Sequence, residues 1–166
     1  MIFVGIDPGI TGAIAILSED GHELVAAHRT PVIQAASGGK REYNSRLMAD
    51  LLIDLENDFG NLVVTIEKVH TMPRDGRVGA FNFGMGYGIW LGILAARHIA
   101  HTLVTPQAWQ ARMLAGLPRG PHTKASAVKT ATAMWPHLPI KAKADWGLAD
   151  AALIAEYGRR AGVPAK

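Results

Sequence analysis

Three acidic residues stand at the edges of the apolar segments of this chain. Asp7 closes the stretch Met1–Asp7, Glu67 follows the stretch Asn61–Ile66, and Asp150 lies near the start of the last helical stretch. A carboxylate at the rim of a buried segment costs desolvation energy, so it points to a bound cation or ligand. Magnesium takes octahedral oxygen coordination with few protein carboxylates and several waters or phosphate oxygens. Two such ions about 4 Å apart activate water and stabilise the leaving oxygen in phosphodiester cleavage. Asp7, Glu67 and Asp150 are therefore candidate ligands for divalent metal.

The elements that must position them follow from pattern. Met1–Asp7, Gly12–Leu17 and Glu23–Thr30 read as three strands, the first two joined by a Pro-Gly turn and the last two by the Ser18–Gly21 hairpin turn. Pro31–Lys40 reads as a loop. Leu47, Leu51, Leu52 and Leu55 recur at helical spacing between Asn44 and Asp58, with Asn44 or Ser45 as cap. Asn61–Ile66 is a strand returning parallel to the first. Gly79–His98 is apolar and helical near its end, yet it carries Gly79, Gly84, Gly86, Gly88 and Gly92. Each glycine costs a helix roughly 1 kcal/mol, so close approach of another backbone is expected, from the sheet or a second subunit. A short strand His101–Thr105 and a helix opened by Pro106 come next. Helices over Thr123–Trp135 and from about Gly147 to Arg160 complete the chain. Three hairpin strands, helix, strand, helix, strand and helices form the pattern of an α/β ribonuclease H-like fold. That pattern implies a mixed five-stranded sheet flanked by helices, with residues 1–166 as one nuclease domain.

Composition narrows the class. The 166 residues are 49% hydrophobic and 19% charged, which suits a folded domain with a real core. Without cysteine there is no disulfide, thiolate metal site or cysteine nucleophile. No apolar run is read as reaching the roughly 18 residues of a membrane span, and no signal peptide is recognised. A cytoplasmic setting, in a bacterium or a phage-infected host cell, is the expectation. Charge is uneven: nine Lys and Arg against eleven Asp and Glu leave −2 over residues 1–118, whereas eight against three leave +5 over residues 119–166. A basic C-terminal third suits a polyanion approached from one side, and equally a solvated surface.

The sequence resembles the RuvC-type Holliday junction resolvases, and among them the bacteriophage or prophage branch. The resemblance is carried by Gly5-Ile6-Asp7-Pro8-Gly9, Ile66-Glu67-Lys68-Val69, Pro106-Gln107-Ala108-Trp109-Gln110, Thr123-Lys124 and the run Ala149 to Tyr157, in the expected order. It implies a homodimeric endonuclease that cuts two opposed strands of a four-way DNA junction. Asp7, Glu67 and Asp150 would bind Mg²⁺ or Mn²⁺, and Lys124 would face the scissile phosphate. A fourth ligand, Asp or His, normally stands three or four residues before the helix aspartate; here Gly147 and Trp146 occupy those positions. The nearest acid, Asp145, lies roughly 140° around a regular helix from Asp150, so ligation and helix capping are both open to it.

For DNA contact the candidates are Lys68, His70, Arg74, Arg77, Phe81, Arg119, Lys124 and Lys129. His70 lies where better-known relatives place an aromatic wedge, and Phe81 or Phe83 is the aromatic candidate for touching DNA. Trp109 and Trp135 read as core. Rival readings remain. Asp7-Pro8-Gly9-Ile10-Thr11 also fits the phosphate loop of actin-like kinases, although no second lobe or second Gly-rich phosphate motif is present. A junction-binding protein with impaired cleavage, and a nuclease for flap or otherwise branched nucleic acid, are the other two.

Overall fold

The computed structural model describes residues 1–34, 38–39, 41–68 and 76–162. Its centre is a five-stranded sheet in the order β3-β2-β1-β6-β7. Strands β1 (Ile2–Asp7), β2 (Ala13–Leu17) and β3 (Leu24–Arg29) run antiparallel, while β6 (Leu62–Glu67) and β7 (His101–Val104) add in parallel beyond β1. This is the mixed ribonuclease H-like sheet expected from the sequence.

Strand alternation assigns the two faces. Val4, Ile6, Ile14, Ile16, Val64 and Ile66 form one core with helices α1 (Ser45–Phe59) and α2 (Arg77–Ala96). Phe3, Ala13, Ala15, Leu17 and Val63 face the other way, into a core shared with α3 (Pro106–Met113), α4 (Thr123–Met134) and α5 (Trp146–Ala161). Asp7 and Glu67 have the parity of Phe3 and Val63, so both carboxylates emerge on the α5 face. Because Ile6 pairs with Ile66 in parallel register, the two acids end neighbouring strands at the same level.

Helix α5 rests directly on that sheet. A Cβ at Gly5 would collide with the Ala151 carbonyl and lie 2.9 Å from the Ala155 Cα, and one at Gly158 would strike Thr65. Small residues thus let helix and strand backbones touch, and this sets the position of Asp150, one residue before Ala151. At the helix start, Gly147 packs on the Thr11–Gly12 turn, where an added Cβ would lie 2.9 Å from the Gly12 Cα.

The structure departs from the sequence reading in three places. Within the segment read as a loop lies β4 (Val32–Gln34), which pairs with β5 (Arg41–Tyr43), just beyond that segment, as a separate two-stranded sheet. Three-residue strands give too little alternation to detect, and their anchor is the buried Tyr43. Helix α2 is regular over its whole length, because Gly86, Trp90 and Leu94 form a buried stripe. Of its glycines only Gly86 meets the expected close approach, against Tyr43 and the Pro8 carbonyl. Among the described residues nothing lies within 4 Å of a Cβ added at Gly79, Gly84, Gly88 or Gly92. Helix α2 also corrects the reading that no segment is long and apolar enough to span a membrane. Its 20 residues include an 18-residue window of mean hydropathy 1.3. One such helix is weak evidence of a span, since a core helix passes the same test, and this one carries Trp90 into the core.

Candidate active site

Asp7, Glu67, Asp150 and Lys124 line one cavity of about 580 Å³, together with Tyr43 and Trp109. Strand ends supply the first two acids, α5 the third, and the first turn of α4 the lysine. The Asp7 Oδ1 accepts the Gly9 N–H at 3.2 Å, which ties the carboxylate to the turn that follows it. Lys124 Nζ donates to Asp150 Oδ2. The Trp109 indole N–H donates to Glu67 Oε2 at 2.5 Å.

Burial dominates the electrostatics of this group. It pushes Glu67 up to about 7, with the charge of Asp7 adding to the rise and the Trp109 hydrogen bond opposing it. It pushes Asp150 up to about 6, against the pull of Lys124. Asp7 is raised for the same reason, again opposed by Lys124 and by the Gly9 amide. Burial works against the charge on Lys124, but Asp150, Asp7 and Glu67 outweigh it and hold the ammonium above its ordinary range. The Tyr43 hydroxyl, buried and near Asp7, is pushed up to about 12.

Three crowded acids against one ammonium leave a deficit of positive charge that a divalent cation would offset. Among the described residues no three acidic or histidine side chains are grouped as a ready-made metal cage. Asp150 turns one oxygen to Lys124 and Glu67 turns one to Trp109. That suits a hard cation held by few carboxylate oxygens and completed by water or phosphate. The donor set therefore fits Mg²⁺ or Mn²⁺, with Asp7, Glu67 and Asp150 as the residues able to hold it.

Asp145, for which ligation and helix capping were both open, lies apart from them. Its Oδ2 accepts the Lys141 and Ala142 amides at 2.9 Å each, and its Oδ1 pairs with Arg29. These partners hold its carboxyl below the usual range, the Lys141 amide foremost. It lines a different cavity, of about 690 Å³, with His28 and Arg29. Nor does its side chain cap α5; it closes the turn before the helix instead. At Gly147 no ligand could stand either, because the Thr11–Gly12 backbone fills the space of a side chain.

Lys68, Arg77, Phe81, Arg119 and Lys129 are exposed, Phe81 at 69%. Phe83 lines the cavity. His70 and Arg74 lie outside the described residues. Sequence reasoning placed Trp109 in the core, and it is buried there, but its hydrogen bond to Glu67 was missed. So was Tyr43. Pairing of Glu67 with Val104 in the β6–β7 ladder is the signal that could have found Trp109, because α3 starts two residues after Val104.

No protein-family model matches the chain, and no curated protein sequence does. Solved structures do. RuvC of Thermus thermophilus in complex with a Holliday junction substrate superposes with a TM-score of 0.65 at 14% identity, covering 98% of this chain and 96% of that one. A second Thermus thermophilus RuvC structure gives 0.62 at 16% identity, covering 98% and 97%. The yeast mitochondrial Holliday junction resolvase Ydc2 gives 0.53 at 19% identity, covering 95% and 77%. The chain thus has the fold of these resolvases over nearly its whole length.

Proposed function

We propose that this chain is a metal-dependent endonuclease that resolves four-way DNA junctions by paired phosphodiester hydrolysis in a homodimer. The observation that carries the reading is the meeting of Asp7, Glu67, Asp150 and Lys124 at one cavity, on a fold shared with junction resolvases. Mg²⁺ or Mn²⁺, when bound, supplies activation of water and charge neutralisation at the scissile phosphate. Asp7, Glu67 and Asp150 would hold the cation. Asp7 is kept in place by the Gly9 amide and Glu67 by Trp109. Lys124 brings a half-exposed ammonium to the mouth of the site, where it stabilises charge developing on the phosphate. Attack in line leaves a 5′-phosphate and a 3′-hydroxyl. Lys68, Arg77, Arg119 and Lys129 act as phosphate contacts, and Phe81 as an aromatic surface for an unstacked base.

The exposed side of α2 supports the dimer. Val78 is largely exposed, and Gly84, Gly88 and Gly92 recur at four-residue spacing with nothing against them among the described residues. An apolar helix face open to close approach suits a twofold contact.

One gel series tests the reading: four-way junction, flap and duplex DNA with Mg²⁺, Mn²⁺ or EDTA. Symmetric nicking of the junction with metal is expected, and Asp7→Asn should abolish it while junction binding survives. An Asp7→Asn protein that cuts like the wild type sinks the proposal. Binding without cutting in either metal would favour the second reading, a junction-binding protein. That reading is motivated by Trp146 and Gly147, which stand where the resemblance implies a fourth ligand, Asp or His.

A further inference from the structure

We infer that Trp109 is a positioning residue, one that locks the Glu67 carboxylate so that a single oxygen is presented to the cation. The inference rests on the metal-dependent reading above and adds to it a residue outside the acidic set. An indole has one donor and no acceptor, so the bond to Glu67 Oε2 uses all the polar capacity Trp109 has. A hydrogen bond to a charged acceptor is both shorter and stronger than a neutral one.

Packing alone does not demand this aim. The protein buries two other indoles fully enough to compare: Trp135 donates to the Gly21 carbonyl at 3.2 Å, and Trp90 has no hydrogen-bond partner for its N–H. Among the described residues a buried indole thus turns to backbone or to no partner, whereas Trp109 turns to an acid at the cavity wall.

The geometry is fixed from both sides. Glu67 is opposite Val104 in the β6–β7 ladder, and the Lys68 amide donates to the Val104 carbonyl at 2.7 Å. Thr105 caps α3 by accepting the Ala108 amide, and Pro106 opens its first turn. One turn later Trp109 returns toward Glu67. Its ring is 1% exposed and packed into the α5-side core, so its own rotamer is locked. With Oε2 held, rotation of the Glu67 carboxylate is blocked and Oε1 is left for a ligand.

The test uses Trp109→Phe with Trp135→Phe as its matched control. Both delete an indole N–H from the same core at the same change in volume, but only one touches Glu67. Mn²⁺ binding to the protein alone, without DNA, is measured by electron paramagnetic resonance or calorimetry beside the melting temperature. Trp109→Phe should weaken Mn²⁺ roughly 10-fold or more, while Trp135→Phe loses stability with Mn²⁺ affinity intact. Junction binding in EDTA should be unchanged in Trp109→Phe, and its cleavage should recover in part at saturating Mn²⁺. Wild-type Mn²⁺ affinity in Trp109→Phe overturns the inference, as does an equal loss in Trp135→Phe. Should Trp109→Phe not fold, the wild type decides: one of the four indole N–H resonances should move as Mg²⁺ is added and be displaced in Glu67→Gln. No movement in either overturns it. A wild type that neither binds Mn²⁺ nor cuts fails the metal-dependent reading itself, which is a different result.

Discussion

Asp145 and Asp150 lie five residues apart at the head of one helix, both almost inaccessible to solvent and both facing a basic side chain. Their chemistry is opposite. Asp145 has two backbone amides and Arg29, which keep its carboxyl easily ionised. Asp150 has Lys124 alone, and burial beside Asp7 drives it the other way, to about 6. Carboxylates of the first kind are fully hydrogen-bonded and hold a turn together. Those of the second kind are left short of positive charge, which is the condition for taking up a cation. Solvent accessibility does not separate the two; the supply of donors and burial beside a second acid do.

The sharpest way to break the contrast is to remove each charge. Asp150→Asn should lower cleavage beyond the roughly 10- to 100-fold cost of losing a supporting group, with little loss of melting temperature. Asp145→Asn should do the reverse, lowering the melting temperature while cleavage of a four-way junction stays within a few-fold. Equal losses of activity would show that Asp145 serves the site after all.

Acidity separates the corners next. The folded value of Glu67 rises from 4.5 to about 7, so the folded state binds more protons than the unfolded one between those limits. Without metal, stability should therefore fall as pH rises through that window, by up to about 3 kcal/mol for this group. Asp145, held low, contributes stability above the usual carboxylate range and loses it as pH falls through its folded value. Denaturant titration from pH 3 to 8 in EDTA reads both limbs, and Mn²⁺ should restore the loss at the upper end. A flat profile above pH 5 would refute the crowding of the cleft.

Gly147→Ala probes the join between the corners. Its added methyl meets the Thr11–Gly12 backbone, so a loss of about 1–3 kcal/mol is expected from overpacking, read by chemical denaturation. Smallest of all, Lys129→Ala should leave cleavage chemistry alone and reduce the salt dependence of junction binding by about one phosphate contact. An unchanged slope would remove Lys129 from the DNA surface.

Much of this was legible in the sequence, and the reason is the short unbroken apolar run. Ile2–Ile6 and Leu62–Ile66 are apolar almost throughout, as strands buried on both faces are, so the central strands and the acids that end them could be read directly. Asn44 and Pro106 marked helix starts where the structure has them. What escaped lacks local pattern. Val32–Gln34 and Arg41–Tyr43 are too short to alternate. Gly86 and Gly147 look like their neighbours in sequence, and only tertiary contact shows that they meet backbone. The fate of Asp145 depended on Arg29, 116 residues away. Trp109 read as a core residue because it is one; its single polar atom meets an acid 42 residues upstream.

The seat of α5 on Gly5 has one more consequence. With backbone lying on backbone, no rotamer stands between the strand that carries Asp7 and the helix that carries Asp150. The gap between those acids inherits the stiffness of the sheet, and lengthening Asp150 to Glu would push its carboxylate forward by a methylene that the two backbones cannot take back. Selectivity for ionic radius would then be a property of main-chain contact, written as much in a missing side chain as in the acids themselves.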